Sequence, residues 1–124
     1  GLVADLGTLQ RLPKLIPPGV VREYAYTGRR MTAEKALAVG LVNSVHATHE
    51  QLREAALALA REIAQKSPLA IAGTKLAINY ARDHGTREAL EHMAVLQAAV
   101  LSPDDMRVAI EAVKAKQAPA FPDR

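Results

Sequence analysis

The sequence predicts a mostly α-helical fold, and three observations carry that reading. Apolar residues recur every three to four positions over most of the chain after Thr48, the period of one helix face. Helix-start signals stand at Thr32, Thr48, Ser67 and Ser102, the last two followed directly by proline. One short stretch, LVNSVHA at residues 41–47, has the β-branched character of a strand.

The elements follow in order. A first short helix is expected from Thr8 to Ile16, with Pro13 near its end, before Pro17-Pro18-Gly19 breaks the chain. Pro18 can open a second helix through Val20, Val21, Tyr24 and Ala25 that stops near Thr27-Gly28. Thr32 caps a third over Ala33 to Val39, with Glu34 in its first turn and Gly40 to stop it. The expected strand follows. Thr48-His49-Glu50-Gln51 fits a capping box for a helix with Leu52, Ala56, Leu59 and Ile63 on one face. Ser67-Pro68 begins the next helix, whose stripe of Leu69, Gly73, Leu76 and Tyr80 runs to His84-Gly85. Gly73 inside it marks a close approach of a neighbour. Thr86 starts a helix with Leu90, Met93, Gln97 and Val100 on one side, and Ser102-Pro103-Asp104-Asp105 caps the last, bearing Met106, Ala109, Ile110 and Val113. After Lys116 a tail holding Pro119 and Pro122 is expected to be irregular. Connections this short pack consecutive helices against each other.

Composition narrows the function classes. Hydrophobic residues make up 49% and charged residues 23%, which favours a folded globular chain over a disordered one. No apolar run approaches the roughly 18 residues of a membrane helix, and no secretory leader pattern is visible. The chain has no cysteine, which removes disulfides, thiolate metal sites and a cysteine nucleophile. These features together point to the cytoplasm. Sixteen Lys and Arg against thirteen Asp and Glu give a charge of +3, but the signs are interspersed and aromatic residues are only 3%, so a nucleic-acid partner is not expected. His46, His49, His84 and His92 show no metal-ligand spacing, and no metal is assigned; His84 is placed to favour a helix C-terminus. Arg29 and Arg30 read as solvated or carboxylate-paired, and Met93 and Met106 as packing or interface residues.

Asp5 is the residue that does not fit. It stands among Leu2, Val3, Ala4 and Leu6 in a stretch that looks built to be buried, where an unpartnered carboxylate is costly. Two readings are open: an N-cap for the helix after Gly7, or an acid/base group, since burial raises a carboxyl pKa toward the range in which it both holds and releases a proton.

Three stretches, GLVADLGTLQRLPKLI, YTGRRMTAEKALAVGLVNSV and AREIAQKSPLAIAGTKLAIN, together resemble the central and C-terminal parts of the enoyl-CoA hydratase/isomerase (crotonase) family. Family hydratases carry glycine where this chain has Asp5, whereas ADLGTLQRLPK is similar to the dienoyl-CoA isomerases, as are QKSPLA and RDHGTREAL. The resemblance implies that the chain is the C-terminal helical part of an α/β crotonase fold, a ClpP-like β-β-α spiral. Residues 1–47 would end the catalytic core and residues 48–124 would form a helical oligomerisation region. It implies isomerisation of a 3,5-dienoyl-CoA to a 2,4-dienoyl-CoA in fatty acid β-oxidation, with Asp5 as one acid/base group; the second acid and the oxyanion donors would fall before Gly1. Lys116, with Lys114 competing, would meet the coenzyme A phosphates as a point charge; both also suit a helix C-terminus in solvent. The expected substrate is an acyl-CoA thioester, with no cofactor, metal, nucleic acid or membrane, in a homotrimer or homohexamer. An enoyl-CoA hydratase is the near alternative. A non-catalytic helical oligomerisation fragment is the other, and alone it would expose the apolar faces of Leu52 to Ile63 and Leu90 to Val100.

Overall fold

A computed structural model describes residues 1–122, so the last two positions of the expected irregular tail lie outside the described residues. The chain forms two compact units, Gly1–Arg53 and Glu54–Arg124.

In the first unit, residues 1–5 lack regular structure and lead through a turn at Leu6-Gly7 into α1 (Thr8–Arg11). The expected single helix to Ile16 is divided: α1 stops after four residues, and Leu12–Lys14 tightens into a 3₁₀ turn closed by the Leu15 N–H on the Leu12 carbonyl at 3.0 Å. Pro13 is the cause, because its ring nitrogen has no proton to give an α-helical bond. The second helix, α2 (Pro18–Thr27), opens on Pro18 and ends at Gly28, whose left-handed φ of 64° lets its N–H reach the Tyr24 carbonyl at 2.9 Å. Arg29 is indeed carboxylate-paired, to Glu23 at 3.1 Å. In α3 (Ala33–Ala38) the Thr32 hydroxyl accepts the Lys35 N–H at 3.2 Å. Ile16, Val21 and Ala36 are the buried apolar residues of this unit.

The strand expected at residues 41–47 does not form, and no strand exists among the described residues. The backbone bonds of this segment go elsewhere. Gly40 turns left-handed (φ 79°), its N–H bonds to Leu37 at 3.1 Å, and the Leu41 N–H returns to Ala36 at 2.8 Å. That pair of bonds is a Schellman stop for α3. A β-branched run becomes a strand only beside another edge, and none is present among the described residues.

The boundary between the units falls inside α4 (His49–Ala64), which Thr48 caps by accepting the Gln51 N–H at 3.2 Å. Its stripe is uncovered: Leu52, Leu59 and Ile63 are exposed and no residue of α4 is buried. The second unit is built on α5 (Pro68–Asp83) and α6 (Thr86–Val100), joined by only two residues, which makes them antiparallel neighbours. They approach closely at Gly73, where an added Cβ would stand 3.0 Å from Val100 Cγ2. At the connected end Tyr80 stacks between His84 and His92, with ring centroids 3.7 and 3.9 Å away, and the His84 Nδ1–H donates to the Tyr80 carbonyl at 2.8 Å. His84 thus satisfies a carbonyl at the helix C-terminus. The last helix, α7 (Pro103–Ala115), presents Met106, Ile110 and Val113 to solvent.

Candidate functional site

The segment around Asp5 is a tight turn. The Thr8 N–H closes on the Asp5 carbonyl at 3.0 Å, and the two residues between them are both left-handed, Leu6 with φ 53° and Gly7 with φ 84°. This is the φ pattern of a type I′ turn, whose usual occupants are Asn and Gly. Glycine adopts it freely; for a leucine the left-handed region costs about 1–2 kcal/mol. The structure corrects two expectations here. Asp5 is exposed, as are Leu2, Val3 and Leu6, so its neighbours in sequence do not bury it. Nor does it cap α1: Gly7 is the N-cap residue, no side chain caps it, and only the Asp5 backbone carbonyl takes part. A tight turn places the Asp5 carboxylate outside the hydrogen bonding of the helix it precedes.

Lys114 and Lys116 lie at the end of α7. Lys114 is in its last turn and borders a shallow groove with Met106, Arg107 and Ile110. Lys116 takes the left-handed position of a Schellman stop (φ 54°), its N–H on Val113 at 3.1 Å and the Gln117 N–H on Ala112 at 3.0 Å. Both side chains are exposed. A lysine thus stands where glycine is the ordinary choice, with its side chain beyond the helix end.

Sequence reasoning missed a cleft of about 430 Å³ between α5, α6, α7 and the tail at Pro119 and Phe121. Its wall is largely apolar, with Met93, Val100, Leu101, Met106 and Phe121, so the two methionines line a cavity as well as pack. Its polar end is Ser67, Ser102 and Asp105. Ser67 Oγ accepts the Ala70 N–H at 3.3 Å and donates to Asp105 Oδ2 at 2.5 Å; Ser102 Oγ accepts the Asp105 N–H at 3.2 Å. Asp105, only 6% exposed, therefore joins the first turns of α5 and α7, where helix dipoles favour a negative charge. The repeated Ser-Pro signal announced both caps, but not that one carboxylate would join them, because that contact spans 38 residues.

Glu34 is held below its usual range by a hydrogen bond to its own backbone N–H and then by the Thr32 hydroxyl. Among the described residues no group of three His, Asp or Glu is placed to hold a metal ion, and no helix is long and apolar enough to cross a membrane.

Comparison with known proteins agrees on one family. The profile described as enoyl-CoA hydratase/isomerase matches residues 1–124. A Homo sapiens protein named Delta(3,5)-Delta(2,4)-dienoyl-CoA isomerase, mitochondrial, is 45% identical over 113 residues, 90% of this chain and 34% of its own length. The Arabidopsis thaliana protein of the same name, peroxisomal, is 37% identical over 120 residues, 97% of this chain and 43% of its own. The crystal structure of an enoyl-CoA hydratase from Mycobacterium marinum superposes with a TM-score of 0.88 at 34% identity, covering 98% of this chain and 48% of that one. The chain thus spans about a third of the length of the first of these relatives and about half of the solved structure. The names overturn the cytoplasmic expectation, since these relatives are mitochondrial and peroxisomal. Composition describes a folded surface, whereas an organelle address is a short segment read by a receptor, so the one does not report the other.

Proposed function

Because the chain belongs to the enoyl-CoA hydratase/isomerase family, a family of enzymes, we propose that it is the Asp5-bearing, C-terminal part of an isomerase that converts a 3,5-dienoyl-CoA into a 2,4-dienoyl-CoA. The observation that supports this most is the 45% identity to a protein named for that reaction. The reaction removes a proton next to the thioester carbonyl and returns one at the far end of the diene. The electron pair left behind moves through the conjugated system between the two steps, so no oxidant or reductant takes part. One side chain cannot reach both carbons, and two acid/base groups are needed. Asp5 is the one this chain supplies, exposed and outside the capping of α1. The other acid and the donors that hold the enolate oxygen are assigned to sequence before Gly1.

In this reading residues 1–47 end the catalytic core and residues 48–124 form the oligomerisation region, in a homotrimer or homohexamer. The uncovered stripes of α4 and α7 support it, since apolar faces of this kind mark contact surfaces. The coenzyme A phosphates meet Lys116 or Lys114, and neither metal nor redox cofactor enters the reaction.

The experiment is an assay of a full-length protein that includes this chain, on a 3,5-dienoyl-CoA and on a 2-enoyl-CoA. Asp5→Asn is expected to reduce isomerisation at least a hundredfold, the scale of a lost acid/base group. Normal turnover by that variant would falsify the role given to Asp5. Preference for hydrating the 2-enoyl-CoA would instead favour a hydratase, the reading that the Mycobacterium marinum structure supports.

A further inference from the structure

The turn that carries Asp5 is not one its own residues favour. Leucine and glycine occupy its two left-handed positions, where asparagine and glycine are usual, and such a backbone persists only where its surroundings hold it. One backbone bond closes it, from the Thr8 N–H to the Asp5 carbonyl at 3.0 Å. Arg11 adds two contacts. Its N–H bonds to the Gly7 carbonyl at 3.0 Å, and its side chain leans back toward the start of α1, as helical side chains do. A Cβ added at Gly7 would stand 3.4 Å from Arg11 Nε and 3.5 Å from Cζ, so the guanidinium lies over the bare face of the glycine. A cation complements a helix at its C-terminal carbonyls, yet this one lies at the opposite end, on the N-cap residue. Helix electrostatics does not account for that placement, whereas contact with the turn does.

We propose that Arg11 is a positioning residue for Asp5: its side chain, folded over Gly7, braces the left-handed turn and so fixes where the Asp5 carboxylate points. This rests on the acid/base reading of Asp5. In this role Arg11 touches neither substrate nor reacting atoms and acts through the turn alone. A turn free to leave the left-handed region would swing the carboxylate, and about 1 Å of misplacement costs on the order of a hundredfold in rate. The loss falls on kcat rather than KM, because the contact aims a proton-transfer group and does not hold the substrate.

The test uses a full-length protein that includes this chain and compares Arg11→Ala with the parent, alone and combined with Leu6→Asn. Asparagine is at home in the left-handed region, so a turn carrying it does not need the brace. Arg11→Ala is expected to lower kcat for a 3,5-dienoyl-CoA roughly tenfold or more with KM unchanged. It should also speed hydrogen exchange at the Thr8 amide, whose bond closes the turn. With Leu6→Asn present, both effects should shrink to within about twofold, since the two sites act on one turn. Unchanged Thr8 exchange in Arg11→Ala would overturn the proposal. An equal loss of kcat with and without Leu6→Asn would do the same, as would a rise in KM alone, which would make Arg11 a substrate contact. Asp5→Asn is assayed alongside. Normal turnover in that variant counts against the acid/base reading, with the brace still read from Thr8 exchange; defective turnover there beside normal turnover in Arg11→Ala counts against Arg11 alone.

Discussion

Removing the Asp105 carboxylate deprives Ser67 of its acceptor and detaches the first turn of α7 from that of α5. Asp105→Ala should therefore destabilise the protein by about 1–3 kcal/mol, the range for a buried polar group that loses its partner, read from urea unfolding. If Ser67→Ala is added, the two losses should fall short of additive, because both remove one bond. Lys116 combines two opposing effects. Lys116→Gly should stabilise by about 1 kcal/mol through relief of the left-handed lysine. If Lys116 is the phosphate contact, the same change should weaken coenzyme A binding, whereas Lys114→Ala should not. The reverse pattern would assign the contact to Lys114.

At the scale of elements, α5 and α6 depend on a missing side chain. An added Cβ at Gly73 would already press on Val100, and a β-branched valine has few rotamers with which to yield. Gly73→Leu should cost about 1–3 kcal/mol through overpacking, visible as a lower Tm. The start of α3 responds to pH. Glu34 has a lowered pKa in the folded chain, so the stability it adds is present above its unfolded pKa and is lost as pH falls through the folded one. Glu34→Gln should be less stable than the parent at neutral pH, with the difference shrinking to nothing in acid. A gap that grows on acidification would contradict the hydrogen bonds at that helix start.

For the whole molecule the decisive feature is uncovered apolar surface. Leu52, Leu59 and Ile63 on α4, Leu90 on α6 and Val113 on α7 are all exposed, while among the described residues only Ile16, Val21, Ala36 and Leu96 are buried apolar side chains. The isolated 124-residue chain should accordingly associate in a concentration-dependent way, seen by sedimentation, since burial recovers about 25 cal/mol for each Å² of apolar surface. A monomer at all accessible concentrations would remove the support these faces lend to an oligomerisation region.

Much of this was legible in local sequence. Helix starts at Thr32, Thr48, Ser67 and Ser102 were readable because a cap is a contact between residues three apart, and Gly73 because a glycine in a helix stripe has few other uses. Family kinship was readable because its motifs are contiguous. Asp5 could be singled out by its apolar setting, but that setting misled about burial, since hydrophobic neighbours in sequence are not neighbours in space. The absent strand at residues 41–47 has the same origin: strand propensity is local, but a strand exists only with a partner edge. The sequence by itself determined the helices after Pro17, the caps that start them and the family, all encoded within a few residues of one another, while the first expected helix is divided at Pro13. The tertiary structure alone decided that Asp105 links two helix starts, that a cleft opens between α5, α6 and α7, and that Leu6 stands uncovered beside Asp5. The first two depend on contacts between residues far apart in the chain and the third on what the fold leaves uncovered, and no short-range pattern records either.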